Sequence, residues 1–531
     1  MFYKKPNRKH SYKIQLLLLF SVISPFLTLA QEMPPEVIFS VRGFVVEGDN
    51  QVDPQTTADV LADFTGDHSG LDGLVEAAAA LEQLLAEAGF SFHKVILPPQ
   101  TLQDGTITLK VVAFNLGSIK VIGNHHYDEG QVIRSLPALS PGSTPNTQAI
   151  ARTLGLANRH PGRSHLISIK QGEAAETVDV DVRVKDQKPW QVFTGINNIG
   201  TDLSGHTRLT AGAQHHNLFG FDDSAAISYT TSHQQPQEVK QYGLSYTLPL
   251  YRWASSLNLF YSSSDVDSGE INSLQISGAG QFLGVSLTHL LLRQGNYTHE
   301  INIGLTDKLF ENDALFVGVN LAADVRSRPL SIGYSGQYQT RLMQLSFSTT
   351  ATTNTGAGSR NADTDYAANR AGAEQSWQRF NASASINFIP ANGWMFRGIF
   401  EGQYSEDPLI SGEQFGLGGM NSIRGFEERA VSGDSGLRLS VETWLPTISK
   451  LPGVRLLGFI DYGYFDRQAV QPGEENSDNL VSAGFGGRWN WRQNINLSVD
   501  YGYVLNQAEH LQGTTGDPGN ARWHVNLYTS Y

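Results

Sequence analysis

Few residues in this sequence are of the types and spacing that catalysis requires. Gly433-Asp434-Ser435-Gly436 matches the tetrapeptide around a chymotrypsin-type nucleophile, but no histidine and aspartate can be placed beside it, so we interpret it as a turn. The pairs His125-His126 and His215-His216 could bind a metal, although adjacent residues of a strand point to opposite faces. No G-x-S-x-G, P-loop or H-E-x-x-H pattern occurs. We therefore predict no enzyme, no catalytic residue, no metal site and no cofactor.

Two other motifs are far more specific. The segment Glu413 to Phe426 reads EQFGLGGMNSIRGF, and Leu456 to Gly463 reads LLGFIDYG. They resemble the (V/I)RG(F/Y) loop motif and the GF-x-D-x-G strand motif of the Omp85 superfamily. The surrounding LGG…IRGF…SGDSG…E pattern is similar to the two-partner secretion transporters of that superfamily, the TpsB branch of haemolysin-activator and filamentous-haemagglutinin transporter type. The motif residues are Ile423, Arg424, Gly425 and Phe426 in the loop, and Phe459, Asp461 and Gly463 on the barrel wall.

The resemblance implies that a long loop, residues 404–435, folds back into a barrel and that Arg424 pairs there with Asp461. An arginine can bind a carboxylate through two parallel hydrogen bonds, so such a pair would fix the position of the loop. The small residues Gly425 and Gly463 would let the loop backbone approach the wall closely. A salt bridge without any role in transport is the alternative interpretation of this pair.

The first thirty residues predict a secretory signal peptide, because a basic region is followed by a short apolar run, Leu16 to Leu29, and by small residues ending at Ala30. Residues 31–36 form a short N-terminal segment, too short for the plug helix of well-known TpsB members. The full chain carries a formal charge of -13, which argues against a nucleic-acid partner. It has no cysteine, so disulfides and thiolate sites are excluded.

Two small α/β units, residues 37–113 and 114–187, precede the rest of the chain. Each has a β-α-α-β-β order, which resembles the pair of periplasmic POTRA domains of Omp85-superfamily transporters. In the first we predict a strand from Val37 to Val46, a helix from Leu71 to Ala88, and strands Ser91 to Leu97 and Thr106 to Val112. In the second we predict a strand Gly117 to Ile122, helices Asp128 to Ser135 and Thr147 to Ala157, and a hairpin of His165 to Lys170 and Thr177 to Val184.

Residues 190–531 predict a membrane β-barrel of about sixteen antiparallel strands. Segments of about ten residues alternate between apolar and polar, and no apolar run long enough for a spanning helix follows the signal peptide. We find no convincing helix here, and Ser268 to Gly284 could be strand or loop. In the last strand, Ala521 to Tyr531, the apolar residues fall on one face, and Tyr531 looks like the C-terminal sorting signal of bacterial outer-membrane proteins. Asn217 to Asp223 resembles the first-hairpin turn of TpsB barrels, whose Asn, Asp and Gly residues suit positive φ.

The resemblance to two-partner secretion transporters implies a transporter in the bacterial outer membrane that exports a secreted TpsA-type exoprotein without ATP: an adhesin, a haemolysin or a contact-dependent toxin. We expect a monomeric barrel in contact with outer-membrane lipid. An Omp85-type assembly factor for other barrels is the alternative, whereas a general porin would need neither the two α/β units nor the loop motif. An extended substrate could add as a strand to the edge formed by Ser91, Phe92, His93, Lys94 and Val95.

Overall fold

The structure is a computed structural model that describes residues 38–201, 204–265, 269–271, 274–276, 279–311, 315–316, 319–320, 324–470, 472–492, 494–511 and 516–531. The predicted signal peptide (1–30), the short segment 31–36 and parts of Ser268 to Gly284 lie outside these residues. Among the described helices, none is long and apolar enough to cross a membrane.

The first α/β unit packs two helices against a three-stranded sheet. Its elements are β1 (Ile38–Val41), β2 (Gly43–Gly48), α1 (Pro54–Ala62), β3 (Gly66–Ser69), α2 (Asp72–Glu87), β4 (His93–Ile96) and β5 (Thr106–Ala113). The sheet order is β2-β5-β4, so β4 lies at an edge. Asp53 caps α1 by accepting hydrogen bonds from two backbone N–H groups of its first turn. Leu74, Leu81 and Leu85 of α2 are buried against the sheet and form the core of this unit.

The predicted continuous strand from Val37 to Val46 is wrong. The backbone N–H of Arg42 donates to the Gly105 carbonyl oxygen at 2.7 Å, and the chain changes sheets at that point. Before Arg42, β1 pairs antiparallel with β3; after it, β2 pairs parallel with β5. Apolar residues are frequent on both sides of Arg42, and so the sequence pattern contains no sign of the break.

The second unit has the predicted β-α-α-β-β order. Its elements are β6 (Asn115–Ile122), α3 (Glu129–Arg134), α4 (Thr147–Ala157), β7 (Arg163–Gln171) and β8 (Thr177–Asp186). The sheet order is β6-β8-β7, with β6 parallel to β8. The two units contact each other where α2 ends and α4 begins. The last carbonyl groups of a helix have no partner within the helix, and here the second unit supplies the donors. The Thr147 N–H donates to the Gly89 oxygen at 2.8 Å, and the Gln148 side chain donates to the Glu87 oxygen at 2.7 Å.

The remaining chain forms a closed antiparallel barrel, which confirms the prediction of sixteen strands. They are β9 (Trp190–Asn197), β10 (Arg208–His215), β11 (Ser224–Ser232), β12 (Lys240–Leu250), β13 (Ser255–Ser264), β14 (Gly280–Leu290), β15 (Tyr297–Phe310), β16 (Val325–Ser327 continued by Pro329–Gln339), β17 (Met343–Asn354), β18 (Gln378–Phe388), β19 (Met395–Tyr404), β20 (Ser435–Trp444), β21 (Val454–Asp466), β22 (Ser477–Trp491), β23 (Ile495–Asn506) and β24 (Ala521–Ser530). Short strand pairs at Gly269–Ile271 with Leu274–Ile276, and Leu315–Phe316 with Val319–Asn320, extend two of the loops.

The last strand closes the barrel against the first. Residues 526–530 of β24 pair with residues 193–197 of β9, and Tyr531 exchanges two backbone hydrogen bonds with Val192, at 2.8 and 3.1 Å. Trp523 and Val525 face outward and are exposed, whereas His524 faces inward and is buried. The predicted face pattern of this strand is therefore present. Alternation places apolar side chains against lipid and polar ones in the lumen.

The second unit is fixed to the end of the barrel at which β9 begins. Arg163 forms an ion pair with Asp222 of the first turn, and both side chains are fully buried. The Tyr127 hydroxyl donates to the His216 carbonyl oxygen at 3.2 Å, and His160 Nε2 lies 2.7 Å from the same oxygen. Asp222 has a φ of 61°, as its turn motif predicts. One hydrophobic core therefore continues from this unit into the barrel turns.

The barrel region does contain a helix, contrary to the prediction. It is α5, Asp363–Asn369, in the loop between β17 and β18. The Asp365 carboxylate accepts the Ala362 N–H at 2.9 Å and so caps its first turn. Tyr366 packs with Trp377, Leu409 and Ile410 in a cluster at the base of the next loop. Seven residues are too few to show a helical repeat of apolar residues, which is why the sequence did not reveal it.

Candidate functional site

The loop between β19 and β20, residues 405–434, folds into the lumen and is held there by the wall. It contains two short paired strands, Phe415–Leu417 and Val431–Gly433. Between them lies the motif Ile423 to Phe426, whose four residues are all buried. The motif contacts strands β20, β21, β23 and β24, and we call these strands the docking wall.

Arg424 binds both carboxylate oxygens of Asp461 on β21. Its Nε donates to Oδ2 and its Nη2 to Oδ1, each at 2.8 Å, and the Arg424 backbone N–H also donates to Oδ2 at 3.1 Å. The Arg424 side chain is 5% exposed and that of Asp461 is fully buried. Such two-pronged, charge-assisted contacts fix orientation as well as distance.

A second carboxylate and a hydroxyl complete the surroundings of the guanidinium group. Its Nη1 donates to Glu442 Oε1 at 2.8 Å, and its Nη2 donates to Ser440 Oγ at 3.1 Å. Ser440 in turn donates to Asp461 Oδ1 at 2.6 Å. The Phe459 ring lies under the guanidinium carbon, 3.4 Å from its centroid, and contributes a cation–π contact.

The charges around the Arg424 guanidinium group are balanced. Asp500 of β23 lies 4.0 Å from Arg424, and Arg488 binds Asp500 through two hydrogen bonds of 2.7 and 2.8 Å. Arg397 lies 3.7 Å from Glu442. Three arginines therefore face three carboxylates, so removing Arg424 would leave the carboxylates in excess. A buried charge without a partner is strongly destabilising.

Glycines let the loop backbone lie directly against the wall. Gly425 has a φ of +99°, and its N–H donates to His524 Nε2 at 2.9 Å. A Cβ placed on Gly502 of β23 would lie 2.4 Å from the Gly425 nitrogen, closer than any real contact. At Gly463 a Cβ would lie 3.0 Å from the Ile423 side chain. The closing strand β24 thus contributes directly to docking the loop.

The apolar residues of the motif add a second set of contacts with the docking wall. Ile423 and Phe426 belong to a buried cluster with Leu417 and Val431 of the loop and Phe465 and Val504 of the wall. Arg522 of β24 adds a contact to Glu427 of the loop at 2.9 Å. Polar and apolar contacts from the same wall therefore hold this segment together.

The base of the loop has two further buried anchors. The Glu413 carboxylate accepts hydrogen bonds from Lys308 of β15 at 2.9 Å and from Arg379 of β18 at 2.7 Å. Asp434 accepts a hydrogen bond from Arg370 at 2.6 Å and from the Leu409 N–H at 2.7 Å. Gly433-Asp434-Ser435-Gly436 therefore closes the loop, and Ser435 Oγ bonds to the backbone of Ser405.

An open space remains in the lumen beside the docking wall, along the first barrel strands. It is a cavity of about 440 Å³ between the loop tip, Met420 and Asn421, and strands β9 to β12 with part of β24. Its polar lining is uncharged and includes Asn197, Thr210, Gln241 and Asn526. The docked loop therefore leaves part of the lumen next to β9 to β12 unfilled.

The predicted substrate strand is shorter than expected. Ser91 and Phe92 precede β4, which begins at His93. His93 and Val95 point into the core, where His93 Nε2 lies 3.2 Å from Asp49. Lys94 points outward and pairs with Glu82 of α2, and this glutamate also accepts the Val95 N–H at 3.4 Å. The segment therefore presents main chain and Lys94, rather than five side chains.

Among the described residues, no group of three His, Asp or Glu side chains is placed to hold a metal ion. His216 is buried at the junction with the second unit, and the backbone N–H groups of His125 and His126 donate to Asp186.

Sequence reasoning located Arg424 and Asp461 but missed Ser440, Glu442, Asp500 and His524. Each faces the lumen of its strand, where polar residues are expected at every second position. The alternation therefore marks them as inward-facing without separating them from the other lumen residues.

The comparisons with known proteins agree with this geometry. The family profile described as haemolysin secretion/activation protein ShlB/FhaC/HecB matches residues 176–489, which is more than half of the chain. The chain belongs to this family. A profile for the ShlB-type POTRA domain matches residues 39–113.

Individual relatives are distant but nearly full in length. The chain is 24% identical to the heme/hemopexin transporter protein HuxB of Haemophilus influenzae, over 81% of this chain and 77% of that protein. It is 24% identical to the outer membrane transporter CdiB of Dickeya dadantii, over 81% and 76% of the two chains. In structure it resembles CdiB from Escherichia coli, with a TM-score of 0.76, 20% identity and coverage of 96% and 93%.

Family membership places this chain among the outer-membrane two-partner secretion transporters, with its POTRA region in the periplasm. BamA from Haemophilus ducreyi shares the fold at a lower TM-score of 0.51, with 16% identity and coverage of 93% and 100%. The comparisons therefore favour the transporter over the barrel assembly factor.

Proposed function

We propose that this protein exports one large partner exoprotein, in an extended state, through the barrel to the cell surface. The observation that carries the proposal is the loop anchored by Arg424, which lies in the lumen and leaves an uncharged polar cavity between its tip and the first barrel strands. We further propose that residues 1–30 are a signal peptide, 37–113 and 114–187 are POTRA domains, and 190–531 form a monomeric barrel without enzymatic activity.

The cavity suits an extended polypeptide of varied sequence. Uncharged amide and hydroxyl groups can exchange hydrogen bonds with a passing backbone, whereas fixed charges would trap residues of opposite sign. The cavity continues between Met420 and Asn421 of the loop and the first barrel strands, so displacing the loop tip would widen it. Arg438 of β20 donates to the Asn421 carbonyl oxygen and ties this tip to the docking wall.

We propose that the exoprotein first binds at the outer edge of β4. An added strand would have to replace the Glu82 carboxylate at the Val95 N–H, a contact of 3.4 Å that an ordinary backbone hydrogen bond would improve upon. Lys94 would lie beside the incoming strand. Specificity would then come mainly from main-chain pairing and from the neighbouring surface of α2.

The chain offers a direct test, since it contains no cysteine. A photoreactive crosslinker attached to Cys in K94C should capture exoprotein arrested during export. The matched control is K185C, an exposed position on β8 in the second unit. Crosslinks at K185C with none at K94C would contradict the assignment to β4.

The function itself is tested by comparing culture supernatants and surface proteins of strains with and without the gene. We expect one large exoprotein to be missing, while other outer-membrane barrels stay at normal levels. General loss of other barrels would contradict export and support an assembly factor. The related proteins HuxB, CdiB and ShlB are named for heme/hemopexin transport, for outer membrane transport and for hemolysin transport. By analogy, the missing protein would be a TpsA-type haemolysin, adhesin or toxin.

A further inference from the structure

The periplasmic turns of the barrel carry an unusual distribution of charge. After the first turn, which the second unit covers, six turns connect the strands at this end: residues 251–254, 291–296, 340–342, 389–394, 445–453 and 492–494. Together they contain the cations Arg252, Arg293, Arg341, Lys450 and Arg492, and no acidic residue. We call these five residues the basic rim. A chain with a formal charge of -13 would not be expected to concentrate only positive charge here.

All five rim side chains are exposed, and none has a carboxylate partner within ion-pair distance in the described part of the chain. Arg293 donates to the Gly295 carbonyl oxygen, and Arg492 lies over the Trp491 ring at 4.8 Å. Neither contact neutralises the charge. The rim therefore presents positive charges that are free to bind an anion.

A second feature accompanies every one of these cations. Each is a direct sequence neighbour of an exposed large apolar residue, and these neighbours are Trp253, Leu292, Leu342, Leu451 and Trp491. On a water-facing surface, such apolar residues would have no favourable contact. At the edge of a bilayer, the apolar residue enters the acyl region while the adjacent cation reaches the headgroups.

The lipid-facing wall beside Arg293 fixes the depth of the rim. Tyr297 and His299 lie on the same face of β15 as Ile303, which is exposed to lipid. The Tyr297 hydroxyl lies 2.6 Å from the Tyr334 hydroxyl, and His299 Nδ1 lies 2.9 Å from that same hydroxyl. Tyrosines with polar tips concentrate at the level of the headgroups. Arg293 of the rim lies in the turn that leads directly into Tyr297. We therefore place the rim at the headgroup level of the periplasmic leaflet.

We propose that the basic rim binds anionic phospholipid headgroups of the periplasmic leaflet. A lipid phosphate would supply the negative partner that the five cations lack. The acyl chains of the same lipid would contact the five apolar neighbours. A cation near an anionic bilayer surface gains about 1 kcal/mol, which corresponds to about a fivefold preference over a zwitterionic lipid. The rim would hold the barrel at a fixed height and keep the turns, on which the second unit is seated, against the membrane.

The test uses the full-length protein in nanodiscs of equal parts dioleoyl-phosphatidylglycerol and dioleoyl-phosphatidylcholine. Native mass spectrometry after mild detergent release counts the lipids that stay bound. The wild type should retain phosphatidylglycerol over phosphatidylcholine by about fivefold. The variant R252Q/R293Q/R341Q/K450Q/R492Q should show a ratio near one. Folding of each variant is checked by the gel shift of the unheated barrel.

Two matched variants separate the rim from general charge. R42Q/K110Q/K120Q/R183Q/K185Q removes five exposed cations from the α/β units and should keep the wild-type ratio. R252K/R293K/R341K/R492K preserves charge and should keep it as well. An unchanged ratio in the rim variant, or an equal loss in the α/β variant, would overturn the proposal. Polyglutamate serves as the probe for an acidic polypeptide. If the rim variant lost polyglutamate binding but still retained phosphatidylglycerol, the proposal would also be overturned, because the rim would then bind an acidic polypeptide.

Discussion

Substituting Arg424 by alanine should release the loop from the wall without opening the barrel. The change removes four side-chain hydrogen bonds, to Asp461, Glu442 and Ser440, and the cation–π contact with Phe459. The carboxylates that remain are at most 5% exposed, so water cannot replace the lost partner while the loop stays docked.

The magnitude follows from burial. Removing one partner of a buried ion pair costs about 3–5 kcal/mol. At 1.4 kcal/mol per tenfold change, the ratio of docked to released loop should fall by roughly a hundredfold to several thousandfold. The backbone ladder between β20 and β21 does not involve the Arg424 side chain, and the barrel should therefore still close.

Three measurements report on this prediction. Single-channel conductance in planar bilayers should rise because the loop leaves the lumen, export of the partner exoprotein should fall to background, and the gel shift of the folded barrel should persist. R424K should be intermediate, because an ammonium group keeps the charge but cannot bind Asp461 through two parallel bonds. R429A is the matched control, since the Arg429 side chain donates to the Ser411 carbonyl oxygen within the same loop. Normal conductance and export in R424A would refute this reasoning.

Other changes should act on the same contacts and on the barrel junction. G502A places a Cβ 2.4 Å from the Gly425 nitrogen and should abolish export, whereas G487A, whose Cβ would be 3.6 Å from its nearest neighbour, should export normally; equal export by both would contradict this. R163A should free the second unit from the barrel by leaving a buried carboxylate unpaired, which a loss of protease protection at the junction would report. Burial and the nearby Arg163 lower the pKa of His160 and of His165 to about 4. Because the unfolded chain then binds more protons, the free energy of unfolding of this unit should decrease as pH falls from about 6.5 toward 4, and pH-independent chemical denaturation would disprove it.

The sequence predicted the barrel, its strand number and the Arg424 motif because these depend on local patterns: alternation, glycine positions and a specific tetrapeptide. The remainder of the site depends on which strands become neighbours around the lumen. Glu442 and Asp500 lie on strands that alternation identifies, yet only the closed register brings them to one guanidinium group. His524 is a further case, because its role depends on the last strand meeting the loop nearly one hundred residues earlier. At Arg42 the local pattern itself was misleading. Apolar residues continue on both sides of this residue, although the chain passes there from one sheet to another.

The hydrogen bond from Gly425 to His524 also has a consequence for the order of assembly. The docking wall includes β24, the strand that closes the barrel against β9. Until that strand is in place, the receptor surface for the loop lacks His524 and Arg522, and the loop cannot complete its contacts. Complete docking of the loop therefore requires a closed barrel, and a fully docked loop indicates that β24 has already paired with β9.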